Sequence, residues 1–323
     1  MNRPQDSVDD LIAGLQRSEV GSLARAITLA EDGHVIADEI LDQIWPQVGD
    51  AWRIGFTGPP GAGKSTLVDA LVCHWLPLGL KPALLAVDPS STVSGGALLG
   101  DRIRLDHALD SGNVYVRSMA NRGSLGGLGV AIGMAADLCD FAGYSEVLLE
   151  TVGVGQSEID VAAAADVTVV VLTPSSGDQV QAMKAGLMEI GDIFVVNKSD
   201  NEDSVRFIND LRSSLNLFEA KRNVDIVPCS ALNGEGVVEV ADALERYKST
   251  AQACGDLNNR RKERLEVQVK KLLGHYLRED LWEECGLLEQ AKSLLKAGKR
   301  PNYIAKHFAR EIAKVVSRGQ FAS

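Results

Sequence analysis

Eight residues, Gly58-Pro59-Pro60-Gly61-Ala62-Gly63-Lys64-Ser65, have the composition of a phosphate cradle. Glycines at Gly58, Gly61 and Gly63 let a loop turn tightly enough for successive backbone N–H groups to converge on one point. A helix starting at the end of such a loop adds the positive end of its dipole. In this spacing Lys64 is expected to reach the β- and γ-phosphates of a nucleotide. The Ser65 hydroxyl, with Thr66 behind it, is expected to face Mg²⁺. Far downstream, Asn197-Lys198-Ser199-Asp200 follows the apolar run Ile193–Val196. The Asp200 carboxylate can accept from guanine N1–H and the N2 amino group. Adenine has neither donor and would leave that carboxylate unpaired. The Lys198 stem can cover the ring, and Cys229-Ser230-Ala231-Leu232 can offer a backbone N–H to guanine O6. The nucleotide is therefore read as GTP/GDP.

Between these segments lie the candidate metal and switch residues. Asp88 and Glu150 each end an apolar run, and Asp101 sits in Leu99-Gly100-Asp101-Arg102. Carboxylates at strand ends beside a phosphate loop can hold Mg²⁺ directly or through water. The competing reading for each is a helix N-cap or a surface charge. In Glu150-Thr151-Val152-Gly153-Val154-Gly155-Gln156, Gly153 and Gly155 would let the backbone approach a γ-phosphate and withdraw after hydrolysis. In Ras-like proteins a Gln directly follows the switch glycine. Here Val154 holds that place, and Gln156, two residues on, is the candidate for orienting water, so slow intrinsic turnover is expected. The expected reaction is GTP hydrolysis, with Lys64, Asp101, Glu150 and Gln156 as the catalytic set. The loop Pro174–Gln179 is a further switch candidate, or an ordinary strand–helix connection.

These loops need strands to hold them. Short apolar runs, several of them β-branched and unbroken, read as strands over Trp52–Thr57, Ala83–Val87, Val114–Val116, Glu146–Thr151, Val167–Leu172, Ile193–Asn197 and Asp225–Cys229. Such runs suit strands covered on both faces, and helices such as Leu67–Trp75 and Val130–Ala142 supply the crossovers. The expected fold is α/β, a P-loop NTPase with a mostly parallel sheet, whose ligands bind at the carboxyl ends of the strands. Apolar stripes at helical spacing precede it (Leu11, Ile12, Leu15; Leu23, Ala26, Ile27, Ala30; Ile36, Ile40, Ile44). Others follow it (Leu265, Val269, Leu272, Tyr276; Ile304, Phe308, Ile312). The expected divisions are a helical extension over 1–50, the nucleotide domain over 51–255 and a helical arm over 256–323.

Bulk properties exclude other classes. A net charge of -11 opposes binding to a nucleic-acid backbone. The charge is uneven: residues 256–323 hold 15 Lys+Arg against 9 Asp+Glu, so this tail is basic. It reads as a solvated helical face or as a docking surface for an acidic neighbour or second subunit. The scattered cysteines and histidines form no metal-binding spacing, which speaks against a metal-insertion GTPase. No run approaches the ~18 apolar residues of a membrane span. The acidic start Met1–Asp10 has no signal core. Cytoplasmic location is the default expectation.

Three strings make a more specific match: Ala86-Val87-Asp88-Pro89-Ser90-Ser91, Gly95-Gly96-Ala97-Leu98-Leu99-Gly100-Asp101-Arg102, and Glu150 through Glu158. With Val116–Gly123, they resemble the MeaB/ArgK family of P-loop GTPases over nearly the whole chain. That resemblance implies a GTPase chaperone that gates cofactor loading and protects or reactivates an adenosylcobalamin-dependent acyl-CoA mutase, typically methylmalonyl-CoA mutase. It also implies a homodimer with the helical arm in the contact, Mg²⁺ surrounded by Ser65, Asp88, Asp101 and Glu150, and a third switch over Gly177–Lys184. An older label of the family, a kinase, has no recognisable protein-substrate site to support it here.

Overall fold

The computed structural model describes residues 7–88, 114–120, 128–151, 156–174, 186–218, 224–279 and 286–317. Two compact units emerge, Met1–Val269 and Lys270–Ser323.

The first unit opens with α1 (Val8–Gln16), α2 (Val20–Glu31) and α3 (Val35–Ile44). The Ser7 hydroxyl starts α1 by accepting the Asp10 backbone N–H at 3.1 Å, satisfying one of the donors that a helix start leaves open. The apolar stripes of these helices are buried, with Leu15, Ile27 and Ile40 fully enclosed.

Then come β1 (Trp52–Thr57), α4 (Lys64–Trp75), β2 (Pro82–Asp88), β3 (Tyr115–Ala120), α5 (Leu128–Phe141), β4 (Glu146–Thr151) and α6 (Gln156–Ala164). They are followed by β5 (Val167–Leu172), α7 (Leu187–Ile190), β6 (Ile193–Val196), α8 (Ser204–Phe218), β7 (Asp225–Pro228), α9 (Val237–Cys254) and α10 (Asp256–Glu279).

Among the described residues the strands make one sheet in the order β3-β2-β4-β1-β5-β6-β7, with every neighbouring pair parallel. Every residue of β1, β4 and β5 is buried, as the unbroken apolar runs require when helices cover both faces. β1 is flanked by β4 and β5, so the loop that leaves it opens at the middle of the sheet.

β3 runs further than its apolar core suggests, to Ala120 rather than Val116. It is an edge strand, and its polar Arg117 faces α2 instead of solvent. There Arg117 pairs with the buried Glu31 and donates to Thr28 Oγ1 at 3.0 Å.

At the amino ends of the strands, opposite the loop that leaves β1, α10 is clamped to the sheet. Asp166 and Asp192 precede β5 and β6, and their side chains are essentially inaccessible. Arg260 forks onto Asp192 at 2.6 and 2.9 Å, and the Tyr247 hydroxyl donates to the same carboxylate. Arg261 and Arg264 reach Asp166 at 2.9 and 2.7 Å. The basic start of the tail therefore spends three of its charges on buried acids of its own chain. It is not simply a solvated face.

The second unit contains α11 (Leu287–Lys296) and α12 (Pro301–Ser317). Ala291, Ile304 and Phe308 form its small core, packed with Leu287 and Leu294.

Candidate nucleotide site

The loop from Gly58 to Gly63 leaves the carboxyl end of β1 and runs into α4. Gly58, Gly61 and Gly63 all have positive φ, at 135°, 75° and 89°. At Gly63 the reason for glycine is doubled, because a Cβ there would lie 2.2 Å from Nδ2 of Asn197. Gly58 approaches the sheet just as closely, where a Cβ would sit 2.1 Å from the Val171 carbonyl oxygen. Ala62 is buried in the main core. Pro59 is buried, whereas Pro60 and Thr66 are exposed. The Lys64 side chain is 5% exposed and folds back so that Nζ donates to the carbonyls of Gly58 and Pro59 at 2.7 and 3.1 Å. An ammonium held this way is fixed against the start of the loop.

The Ser65 hydroxyl donates to Glu150 Oε1 at 2.5 Å. Ser65 comes from the first turn of α4, and Glu150 from the end of β4, paired with Phe56 of β1. An alcohol and a carboxylate, both hard oxygen donors, thus meet beside the phosphate loop. That donor chemistry fits Mg²⁺, which takes few protein ligands and completes its shell with phosphate and water. Asp88 ends β2, whose Ala86 is paired with Glu150, so its backbone lies next to this point. Its side chain is outside the described residues, as are Asp101, Gly153, Val154, Gly155 and the Gly177–Lys184 segment. Gln156 begins α6, but its side chain is likewise not described.

The segments expected to read the base converge on the same loop. Asn197 follows β6 and is 3% exposed. Its Nδ2 donates to Ala62 O at 2.8 Å, and its Oδ1 accepts from Ala231 N at 3.0 Å. Lys198 takes a left-handed backbone conformation, φ 57°, and its Nζ donates to Gly61 O at 3.0 Å. The Ser230 hydroxyl donates to Asp200 Oδ1 at 2.8 Å, which orients one carboxylate oxygen and leaves the other for a base edge. Leu232 projects beyond this loop and is 88% exposed.

One acid within the field of Lys64 carries no signal at the level of motif. Glu158 lies on the first turn of α6. Burial pushes its carboxyl above the ordinary range, and the Lys64 charge opposes that rise. Its spacing in Glu150–Glu158 does not say which side of α6 faces Lys64.

The model of the family described as methylmalonyl-CoA mutase-associated GTPase MeaB matches residues 23–285. GTPase ArgK of Escherichia coli is 37% identical over 271 residues, covering 80% of this chain and 82% of its own. The mouse protein named methylmalonic aciduria type A homolog, mitochondrial, is 35% identical over 292 residues, 84% of this chain and 70% of its own. A crystal structure described as a LAO/AO transport system kinase superposes with a TM-score of 0.71 at 28% identity. It covers 97% of this chain and all of the solved one.

Proposed function

The chain belongs to the MeaB family of methylmalonyl-CoA mutase-associated GTPases, and on that premise we propose that it is the GTP-driven chaperone of an adenosylcobalamin-dependent acyl-CoA mutase, methylmalonyl-CoA mutase or a relative. Guanine-nucleotide binding and GTP hydrolysis come with the family. The mutase is the proposed partner, and the observation that carries it is the family match over residues 23–285. In this reading GTP hydrolysis gates cofactor loading and supports protection or reactivation of the mutase.

The proposed chemistry is phosphoryl transfer to water, in which positioning and charge stabilisation do nearly everything. Lys64 and the loop N–H groups from Gly58 to Ser65 hold the phosphates. Asp200, oriented by Ser230, takes the guanine edge, and the Lys198 stem covers the ring. Ser65 and Glu150, with Asp88 and Asp101 in support, would hold Mg²⁺, which neutralises phosphate charge when bound. Gln156 is assigned the task of orienting water, and the Gly177–Lys184 segment that of answering to the mutase.

We further propose a homodimer in the cytoplasm, with 256–323 as the contact arm. Leu265, Val269 and Leu273 on α10, exposed at 37%, 62% and 54%, support an apolar contact there. Among the described residues no helix is long and apolar enough to cross a membrane.

The test mixes the purified chain with methylmalonyl-CoA mutase in GDP or in a non-hydrolysable GTP analogue. Complex size and GTP turnover are then measured. A nucleotide-dependent complex with raised turnover is expected. No complex in either state and unchanged turnover would overturn the partner assignment while leaving the GTPase intact.

A further inference from the structure

α6 runs back from the carboxyl end of β4, where Glu150 meets Ser65, to the arginine clamp at the amino end of β5. Its nine residues make a rod about 13 Å long, at 1.5 Å per residue. The first turn is at the nucleotide end, where Ser157 is buried and Glu158 lies within the field of Lys64. The last turn is at the amino ends of the strands. There the Ala164 carbonyl accepts from Arg264 Nη1 at 3.4 Å, and the chain turns directly into Asp166.

The rod lies hard against β1. Val161 is fully buried, and a Cβ on Gly55 would come within 3.1 Å of both Val161 Cγ1 and Ala165 Cβ. Close packing of this kind transmits displacement instead of absorbing it. A shift at one end of α6 is therefore felt at the other.

The far end is fixed both by β1 and by α10. Asp166 accepts from the Arg53 backbone N–H at 3.1 Å, from Arg264 at 2.7 Å and from Arg261 at 2.9 and 3.2 Å. Arg261 also donates to Ala51 O at 3.1 Å, ahead of β1. Asp192 receives Arg260 and Tyr247 and accepts the Thr168 backbone N–H at 2.8 Å, so these bonds hold α10 to β5 and β6 rather than to α6, while Arg260 also donates to the Asp166 carbonyl oxygen at 2.8 Å.

We propose that Arg261, Arg264 and Asp166 are positioning residues for GTP hydrolysis: by fixing the C-terminal end of α6 against α10, they set where its first turn sits beside Lys64. The inference rests on the GTPase activity and is independent of which mutase is served. It makes α10 a partner in the catalytic cycle, beyond any role as a contact arm.

The test compares Arg264→Ala, Arg264→Lys and Asp192→Asn with the parent full-length chain. Single-turnover GTP hydrolysis, GDP affinity and melting temperature are measured for each. Misplacement of a positioning element can cost up to about a hundredfold in rate, so Arg264→Ala is expected to slow hydrolysis by at least about fivefold, with GDP affinity within about twofold. Arg264→Lys, which keeps a cation at Asp166, should recover most of the rate. Asp192→Asn should lower the melting temperature and leave the rate alone. Equal rates in Arg264→Ala and parent, or an equal loss in Asp192→Asn, would overturn the proposal.

Should Arg264→Ala fail to fold, amide exchange of the parent decides. Segments 156–164 and 256–269 should change protection together between GDP and a non-hydrolysable GTP analogue. A change in the first without the second would overturn the coupling.

Discussion

Asn197 Nδ2 donates to the Ala62 carbonyl oxygen at 2.8 Å, so the turn after β6, proposed to read the base, is tied to the loop after β1, proposed to hold the phosphates. Its Oδ1 takes the Ala231 N–H at 3.0 Å, which draws in the loop after β7. One buried amide thereby joins three loops into a single preorganised unit.

Replacing that amide tests the unit as a whole. Asn197→Ala leaves a buried carbonyl and a buried N–H without their partner, at about 1–3 kcal/mol for each such group. Guanine-nucleotide affinity should fall by more than tenfold, for GDP and GTP alike, because both loops lose their anchor. Titration with a fluorescent GDP analogue measures this, and unchanged affinity would show that the loops are held by other means.

Asp200→Asn addresses the base alone. The amide presents a donor where guanine N1–H needs an acceptor, so GTP binding should weaken by tenfold or more, on the scale of one lost charged hydrogen bond, about 1.5–3 kcal/mol. Xanthine, whose C2 carries an oxygen, should be tolerated better than by the parent. Competition between GTP and XTP is the measurement, and a parent-like preference would remove Asp200 from the base site.

The parts of the site that could be read from sequence are those made by consecutive residues. The strands Trp52–Thr57, Glu146–Thr151 and Val167–Leu172 coincide with β1, β4 and β5, because burial on both faces forces unbroken apolar runs. The Gly58–Ser65 loop and the Asn197–Asp200 turn are equally local: both leave strand ends, the first with Gly58, Gly61 and Gly63 at positive φ. What stayed hidden depends on pairing across the chain. Arg261 and Asp166 are 95 residues apart, and Arg260 and Asp192 68 apart. An aspartate before a strand looks like any turn residue, and Arg260-Arg261-Lys262 looks like a wet helix face. Only the strand order, which sets β5 and β6 side by side under α10, tells which charges are spent inside the fold.

Ser65 and Glu150 make the metal prediction. Glu150→Gln keeps the size and a hydrogen-bond partner for Ser65 but removes the charge that attracts a divalent cation. The Mg²⁺ concentration for half-maximal hydrolysis should rise at least tenfold, and the rate at saturating GTP and millimolar Mg²⁺ should fall by about a hundredfold, as for loss of a transition-state charge partner. GDP affinity measured in EDTA should stay close to that of the parent. If GDP binding in EDTA collapses as well, Glu150 supports the loop instead of the metal.

Gly63→Ala separates geometry from chemistry. The added methyl would sit 2.2 Å from Asn197 Nδ2, on a backbone at φ 89° that side chains avoid. Left-handed strain of about 1–2 kcal/mol adds to the clash. The protein should still fold, because Gly63 lies outside the main core, but nucleotide binding should be lost. Circular dichroism together with nucleotide titration separates the two, and retained binding would mean that the loop can open without the Asn197 tie.

Asp166→Asn carries a pH signature. Burial alone would raise the Asp166 carboxyl, but the Arg261 hydrogen bonds and the Arg264 and Arg261 charges outweigh it, so its pKa falls below the ordinary 3.8. A depressed carboxylate pKa contributes stability that is fully present above the unfolded value and is lost as pH drops through the folded one. Removing this one partner from a buried cluster leaves arginine charges uncompensated, at about 3–5 kcal/mol. The gap between parent and variant should therefore be full at pH 7 and at pH 5, and should narrow as pH falls below 3.8, where the unfolded chain takes up a proton that the folded carboxylate still refuses. Urea unfolding at pH 7, 5 and 3 reads this directly. A gap that stays constant down to pH 3 would mean that the carboxylate contributes through shape rather than charge.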